Sequence, residues 1–301
     1  MINSNVHSEN LFGEVLSKSK DVAQLAKMRL SLLVVFSSLM GYLYACAFDV
    51  AVLPMLGLVL GGFFVTAASN TFNQLYERRT DALMKRTEDR PIAAGRMTTS
   101  EGVFWAMSFA VSGIFLLNEM TNELTALFAT FSLILYAFLY TPLKRLSRLS
   151  VYVGAVPGAM PFLLGWVAFN GTFTFEAGLL FLIQFLWQLP HTWSIAWLLK
   201  GDYSKVGIKM MPTNWKNPTT DASVTLLTSV LLLIACMLPV YYGFVGLFGA
   251  FAALLFGLYF CYRSLGLLIK QDMSAAKSVL MASILFLPLM QIGFVIDKMI
   301  P

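Results

Sequence analysis

The chain has 301 residues, of which 58% are hydrophobic and only 12% are charged. Ordinary soluble domains carry about 25% charged residues, so this composition excludes a soluble globular domain and indicates a membrane protein. The formal net charge is +5, and no nucleic-acid partner is expected.

The apolar segments predict an all-α integral membrane protein with nine transmembrane helices. A helix needs about 20 mostly apolar residues to cross a bilayer. The predicted spans cover residues 28–48, 53–72, 101–119, 122–140, 151–170, 176–199, 222–243, 245–269 and 278–297. Local kinks are expected at the prolines inside spans, where neighbours can satisfy the freed carbonyls. Gly154, Gly158 and Gly165 in the fifth span predict close helix packing.

The distribution of cations predicts the topology. All but one of the 21 Lys and Arg residues lie in or near the N-terminal arm or the connections after spans two, four, six and eight. The positive-inside rule therefore places the N-terminus in the cytoplasm and the C-terminus outside. We expect a cytoplasmic arm at 1–27 and a membrane domain at 28–301, with long cytoplasmic loops at 73–100 and 200–221. Loops of this length in a compact domain are usually functional or disordered, and their helix-like patterns favour function.

The N-terminal segment and the cysteines give weaker indications of where the protein lies and what it binds. The first 22 residues are polar, which predicts no cleaved signal peptide and favours a bacterial inner membrane. Cys46, Cys236 and Cys261 lie in apolar segments without metal-binding spacing, so we expect small buried hydrophobes.

The most charged stretch runs from residue 69 to residue 97. Asn73, Glu77 and Asp81 recur every four residues, so on a helix they lie along one face. The cations that follow are Arg86, Arg90 and Arg96. Two carboxylates and an amide close to cations suit a divalent metal that carries a phosphorylated ligand. The alternative is a solvated loop in which the charges have no special role.

Three amides end the second predicted span, namely Asn70, Asn73 and Gln74. An amide at that depth needs a partner or a wet cavity. We therefore expect a polar cavity that opens at the cytoplasmic face and meets the charged helix. The alternative, most of all for Asn70, is hydrogen bonding between helices.

Two further clusters follow along the chain. Lys144 and Arg145 close the fourth span and are candidates to neutralise a diphosphate leaving group, or they are plain positive-inside anchors. His191 lies in an apolar span after a proline, where it is either functional or a hydrogen-bonded core residue. The other candidates in this third cluster are Trp187, Gln188, Asp202 and Tyr203. Asp202 is either a second carboxylate that faces a metal or a phosphate, or a surface cap.

Together these motifs resemble those of the UbiA-type intramembrane prenyltransferases over residues 20–295. The first is similar to the family pattern Asn-xxx-Asp-xxx-Asp-xx-Met-x-Arg-Thr-xx-Arg-Pro, matched by Asn73, Glu77, Asp81, Met84, Arg86, Thr87, Arg90 and Pro91. Glu77 replaces the usual aspartate, which keeps the charge and adds a methylene. The YTPLKR and GAVPGAMPFLLGW segments are similar to the family's stretch around spans four and five. The WQLPH run resembles the signature of members that modify a haem. Quinone-type members carry a second DxxxD in this region, and this sequence has none.

The resemblance implies a helical bundle around a central cavity and a farnesyl transfer to a vinyl group of protoheme IX, which gives haem O. Farnesyl diphosphate would be bridged by Mg²⁺ to Asn73, Glu77 and Asp81. The implied diphosphate cations are Arg86, Arg90, Lys144 and Arg145. His191 would contact the haem as an axial ligand or a propionate partner, with Gln188 and Trp187 beside it. Asp202 and Tyr203 would close the site.

Two other functions remain as alternatives. One is a prenyl transferase acting on an aromatic quinone precursor, which the missing DxxxD disfavours. The other is a membrane transporter, in which polar residues and broken helices line a path through the bilayer. Against a transporter, the polar residues cluster at one face, and the last three spans carry almost none. The expected partners are the lipid bilayer and either haem A synthase or a terminal oxidase.

Overall fold

The computed structural model describes residues 16–300, and over that range the chain is all-α, which confirms the predicted fold class. The predicted arm, 1–27, lies partly outside the described residues, and its described part is helical from 16 to 25. The helices that follow are α1 (Met28–Cys46), α2 (Val52–Asp81), α3 (Thr99–Met120), α4 (Glu123–Ile134), α5 (Thr141–Leu146), α6 (Ser150–Asn170), α7 (Phe175–Leu198), α8 (Lys200–Val206), α9 (Pro218–Tyr241), α10 (Leu247–Lys270) and α11 (Met273–Met299). A π-helix, Leu135–Tyr140, joins α4 to α5.

Among the described residues, 8 helical segments are long and apolar enough to cross a membrane. The sixth predicted span corresponds to α7, which has 24 residues but is not one of these segments. Its polar side chains, Gln184, Gln188 and His191, lower its mean hydropathy. The count of nine and the side of the N-terminus therefore stay predictions. The largest difference in boundaries is at α2, which continues from the predicted end at residue 72 to Asp81.

Helix α6 is the central helix of the bundle. Of its most apolar window, 72% is buried, against 33% for the corresponding windows of α2 and α3. It packs against α1, α4 and α7, and α11 packs against α1, α7 and α10. The outer helices expose rows of Leu, Phe and Ile side chains, as expected of surfaces that face lipid.

Glycines let α6 approach its neighbours closely, as the sequence predicts. A Cβ at Gly165 would overlap the backbone carbonyl of Ser38 on α1. A Cβ at Gly158 would overlap the side-chain amide of Gln188 on α7. A Cβ at Gly154 would meet the ring of Tyr140. Without a hydrophobic driving force between helices in lipid, such backbone contact is what makes packing favourable.

Replacing Gly165 with alanine should therefore destabilise the fold by about 1–3 kcal/mol, the usual cost of overpacking. The overlap is with backbone, which cannot swing aside as a flexible side chain can. The measurement is the thermal midpoint of the purified protein in detergent. Gly62→Ala is the matched control, because a Cβ at Gly62 meets nothing within 4 Å. An equal midpoint for both variants would contradict the packing argument.

The prolines of α6 leave backbone groups that neighbouring side chains satisfy. Pro161 has no N–H to donate to the Pro157 carbonyl, and that carbonyl accepts a hydrogen bond from Ser132 Oγ at 3.3 Å. One turn on, the Gln184 amide bridges α6: its Nε2 donates to Gly158 O at 3.1 Å, and Phe162 N donates to its Oε1 at 3.2 Å. These partners explain how α6 stays continuous through Pro161.

Candidate active site

The last turns of α2 carry a buried polar face. Because α2 continues to Asp81, the predicted stacking of Asn73, Glu77 and Asp81 occurs within one helix. Asn73 is 2% exposed and Asp81 is 1% exposed. Polar groups at this burial need partners, since an unpaired buried charge is strongly unfavourable.

Each carboxylate has a cationic partner from another segment. Glu77 Oε1 lies 3.0 Å from Lys144 Nζ on α5, and Asp81 Oδ2 lies 2.6 Å from Arg90 Nη1. Asn73 Nδ2 donates to Thr141 Oγ1 at 3.3 Å. The second oxygen of Asp81, Oδ1, is buried and has no hydrogen-bond partner among the described residues. The pairs therefore neutralise the carboxylates and leave one oxygen for a further ligand.

The π-helix aligns a second set of side chains on the same site. Its wider turn brings Tyr136 and Tyr140 together with ring centroids 5.2 Å apart. Lys144 Nζ lies over the Tyr140 ring, 4.6 Å from its centroid. π-Turns inside α-helices occur frequently at functional sites, and here the irregular turn aims three residues at one cavity. The spacing of 136, 140 and 144 was a signal in the sequence that we did not use.

Residues 82–98 bring Arg90 back to α2. Thr87 Oγ1 donates to the Asp81 carbonyl at 3.0 Å, which fixes the first turns of this connection. Arg86 is exposed and lies at the rim of the cavity. Arg96 lies elsewhere, at 2.9 Å from Asp21 and 2.8 Å from Asp89, so it ties the N-terminal arm to the connection. Those carboxylates, Asp21 first, raise the pKa of Arg96 above its usual value.

The segment after α7 covers the cavity. Tyr203, Ile208 and Met210 line it, and Lys209 N donates to the Lys144 carbonyl at 2.8 Å. Burial raises the pKa of Tyr203 above its usual value, which keeps the phenol neutral. Asp202 does not line the cavity; its carboxylate lies 3.3 Å from Lys205, as in the surface-cap alternative.

Lys27 is a cavity residue that the sequence reasoning treated only as a topology signal. It precedes α1 and lines the cavity with Asn73, Glu77 and Lys144. Burial, and next the charges of Arg90 and Lys144, lower the pKa of Lys27 to about 7. A bound anion would oppose that shift, because it favours the charged ammonium.

These side chains enclose a small polar cavity of about 130 Å³, which we call the polar cavity. Its lining residues are Lys27, Asn73, Glu77, Met84, Arg86, Arg90, Tyr136, Tyr140, Lys144, Tyr203, Ile208 and Met210. Arg145 is exposed and does not line it. Among the predicted site residues, the structure brings together Asn73, Glu77, Arg86, Arg90 and Lys144. Asp81 does not line the cavity, but its carboxylate pairs with Arg90, which does.

The third predicted cluster forms a separate group between α7 and its neighbours. The rings of Trp187 and His191 stack with centroids 4.7 Å apart. Ser283 on α11 bonds both residues, since His191 Nδ1 lies 2.8 Å from Ser283 Oγ and Trp187 Nε1 donates to Ser283 O at 2.8 Å. Gln188 faces the other way and donates to Ala155 O on α6 at 3.1 Å. None of the three residues lines the polar cavity.

A second, more apolar cavity of about 480 Å³ lies next to the polar cavity. Tyr152 and Trp193 contact each other edge to face in its wall, and Arg148 donates to Pro212 O at its rim. The segment 208–212 contributes to both cavities, with Ile208 and Met210 on one side and Pro212 on the other.

A divalent metal fits the donor atoms of the polar cavity. Carboxylate and amide oxygens are the ligands that Mg²⁺ prefers, and Asn73 and Glu77 bring such oxygens to the cavity wall. The unpartnered Oδ1 belongs to Asp81, which pairs with the lining residue Arg90 but does not line the cavity itself. Within residues 16–300, no three His, Cys, Asp or Glu side chains form a metal cluster on their own. A metal here would therefore need the amide of Asn73 or oxygens of the ligand. The three cysteines are free; Cys46 and Cys236 are buried, as expected, whereas Cys261 is only partly buried.

The sequence matches proteins of known family. Residues 34–287 match the model of the UbiA prenyltransferase family. A protoheme IX farnesyltransferase of Flavobacterium johnsoniae is 43% identical over 286 residues, which cover 92% of this chain and 94% of that protein. A protoheme IX farnesyltransferase of Christiangramia forsetii is 41% identical over 306 residues, which cover 100% of this chain and 99% of that protein.

Solved structures show the same fold at low sequence identity. A structure from work on digeranylgeranylglyceryl phosphate synthase superposes with a TM-score of 0.78 at 19% identity and covers 94% of this chain and 99% of that chain. A UbiA homolog from Archaeoglobus fulgidus bound to GPP and Mg²⁺ has a TM-score of 0.61 at 14% identity and covers 93% of this chain and 99% of that chain.

Proposed function

The chain belongs to the UbiA prenyltransferase family, and we propose that it transfers a farnesyl group from farnesyl diphosphate to a vinyl group of protoheme IX, giving haem O. The observation that carries the proposal is the pairing of Glu77 and Asp81 with Lys144 and Arg90 around one polar cavity. The relatives named protoheme IX farnesyltransferase support the acceptor. They favour haem over the quinone precursor, and membership of a prenyltransferase family disfavours a transporter.

The polar cavity binds the diphosphate end of the donor. Asn73, Glu77 and Asp81 would hold Mg²⁺, which supplies Lewis-acid stabilisation of the leaving diphosphate. The A. fulgidus homolog, bound to GPP and Mg²⁺, supports a metal-dependent prenyl transfer. Arg86, Arg90 and Lys144 then provide positive charge where the leaving group gains negative charge, which is where preorganised charge lowers the barrier most.

The reaction breaks the C1–O bond of the donor, the π bond of the vinyl group and one O–H bond of water, and it forms one C–C and one C–O bond. The bond between farnesyl C1 and the diphosphate oxygen breaks, and the diphosphate takes the electron pair. The π electrons of the vinyl group form the new carbon–carbon bond to C1. Water adds to the carbocation that this leaves beside the porphyrin and loses a proton, which gives the hydroxyl group of the product. Tyr203, Ile208 and Met210 cover the cavity and limit premature quenching by water.

We place the acceptor near α7. Trp187 and His191 form a flat stacked pair fixed by Ser283, which suits contact with a macrocycle. Gln188 packs against α6 beside them. His191 acts here as an axial ligand or as a propionate partner. The enzyme lies in the lipid bilayer of a bacterial inner membrane with the polar cavity on the cytoplasmic side, and it delivers haem O to haem A synthase or a terminal oxidase.

The function is tested by expressing the protein in a host that lacks haem O and analysing extracted haems by mass. A farnesylated and hydrated haem supports the proposal. Folded protein that leaves haem unmodified, while it prenylates an aromatic acid, would overturn it in favour of the quinone alternative.

Glu77→Asp should retain activity within about tenfold, because the carboxylate remains and only its reach changes. Glu77→Gln keeps the length but removes the charge, so it should lose far more activity. Both are measured as haem O formed per mole of folded enzyme. If the aspartate variant is as inactive as the glutamine variant, Glu77 is not a simple equivalent of the usual aspartate.

A further inference from the structure

The chain turns sharply between the N-terminal helical segment 16–25 and α1. Lys27 adopts the left-handed conformation, with φ 47° and ψ 56°. A side chain with a Cβ is unfavourable there, and such residues persist only where the surroundings fix them. This turn is what directs Lys27 into the polar cavity.

Two buried side chains fix the backbone just before Lys27. Gln74 Nε2, on α2, donates to the Leu25 carbonyl at 2.8 Å. Ser31 Oγ, on α1, donates to the Ala26 carbonyl at 2.7 Å, and Asn70 Nδ2 donates in turn to Ser31 Oγ at 3.3 Å. These are carbonyls that the end of a helix leaves without backbone donors.

The arrangement has features that packing alone does not explain. Gln74 is 1% exposed, yet its Oε1 has no hydrogen-bond partner among the described residues. A methionine of the same length would avoid that unfavourable burial. Burial, and next the charges of Arg90 and Lys144, disfavour the charged form of Lys27 in the absence of a ligand. An anion in the cavity would favour the charged ammonium of Lys27.

We propose that Gln74, supported by Ser31 and Asn70, is a positioning residue that holds the left-handed turn at Lys27 and so keeps the Lys27 ammonium in contact with the diphosphate of the donor. The amides of α2 thus divide by role. Asn73 faces the cavity, whereas Gln74 and Asn70 act through the backbone around Lys27. The inference rests on the proposed function, because it takes the ligand of the cavity to be a diphosphate.

The test is a double-mutant cycle between Gln74→Met and Lys27→Met in the full chain, reconstituted in nanodiscs. Farnesyl diphosphate is varied at saturating protoheme IX with Mg²⁺ present, and KM and kcat are measured separately. Each single variant should raise the donor KM about tenfold or more, the effect of losing one hydrogen bond to a charged group. The kcat should change much less. The double variant should equal Lys27→Met, because Gln74 has no effect once the ammonium is gone.

Matched variants keep the result interpretable. Ser31→Ala should shift the donor KM in the same direction as Gln74→Met, by a smaller factor, and serves if Gln74→Met folds poorly. Gln271→Met is the control, since Gln271 is also left-handed and its amide bonds Thr219 far from the cavity. Additive effects of Gln74→Met and Lys27→Met, or an unchanged donor KM in Gln74→Met, would overturn the inference. A wild type that forms no haem O would instead refute the proposed function, so the two failures are distinct.

Discussion

Replacing Asp81 with asparagine is expected to lower haem O formation by about 10³-fold, the scale seen when one group that stabilises transition-state charge is lost. Asp81 combines a pair to Arg90 at 2.6 Å with the unpartnered oxygen that suits a metal. Asparagine keeps the shape of the side chain but removes the negative charge that attracts both Arg90 and a metal ion. The measurement is haem O by mass spectrometry, with folding checked by size-exclusion chromatography.

Asp89→Asn is the matched control for that variant. Asp89 also pairs with an arginine, Arg96, in the same connection, but its side chain is 85% exposed, whereas that of Asp81 is 1% exposed. Exposed pairs contribute about 0–1 kcal/mol, so activity should stay close to wild type. Equal losses in Asp81→Asn and Asp89→Asn would mean that the connection matters as a whole and that the buried carboxylate of Asp81 has no special role.

Lys144→Met is expected to lower activity by about 10²–10³-fold, because it removes a preorganised cation from the wall of the diphosphate site. It also leaves Glu77 buried without its partner, and breaking a buried pair costs about 3–5 kcal/mol of stability. The side chains are 11% and 13% exposed, so solvent screens the pair little. Turnover and thermal midpoint should both fall.

Two further variants separate catalysis from stability. Lys144→Met combined with Glu77→Gln removes both charges, so it should recover much of the stability and none of the activity. Arg145→Met alters the neighbouring cation, which is exposed and outside the cavity, and should stay near wild type. Recovery of turnover in the double variant would refute the assigned role of Lys144. Equal losses of turnover in Lys144→Met and Arg145→Met would refute it as well.

The fold was predictable because bilayer thickness sets the length of each apolar segment. The end of α2 was not, because hydropathy marks where the apolar environment ends, while the helix itself continues through the polar face to Asp81. Helix α7 is the opposite case. It has the length of a span, but Gln184 and His191 make it polar, since they bond α6 and α11 and do not face lipid.

The candidate site was predictable where its geometry is local. A spacing of four residues was sufficient to stack Asn73, Glu77 and Asp81. The partners were not predictable, because Lys144 meets Glu77 across 67 residues of chain, and charge alone cannot distinguish it from Arg145. Lys27 was missed for a different reason. Its left-handed backbone is unfavourable for lysine, so no propensity in the sequence indicates the turn.

The balance of charge in the polar cavity has a consequence for turnover. Glu77 and Asp81 are each matched to one cation, whereas Lys27 and Arg86 form no ion pair within residues 16–300. The groups that stabilise the departing diphosphate therefore also retain it after the farnesyl group has moved. Inorganic diphosphate should be a competitive inhibitor against the donor, and its escape from the site is a candidate slow step. A cell that hydrolyses diphosphate rapidly would then remove this product inhibition.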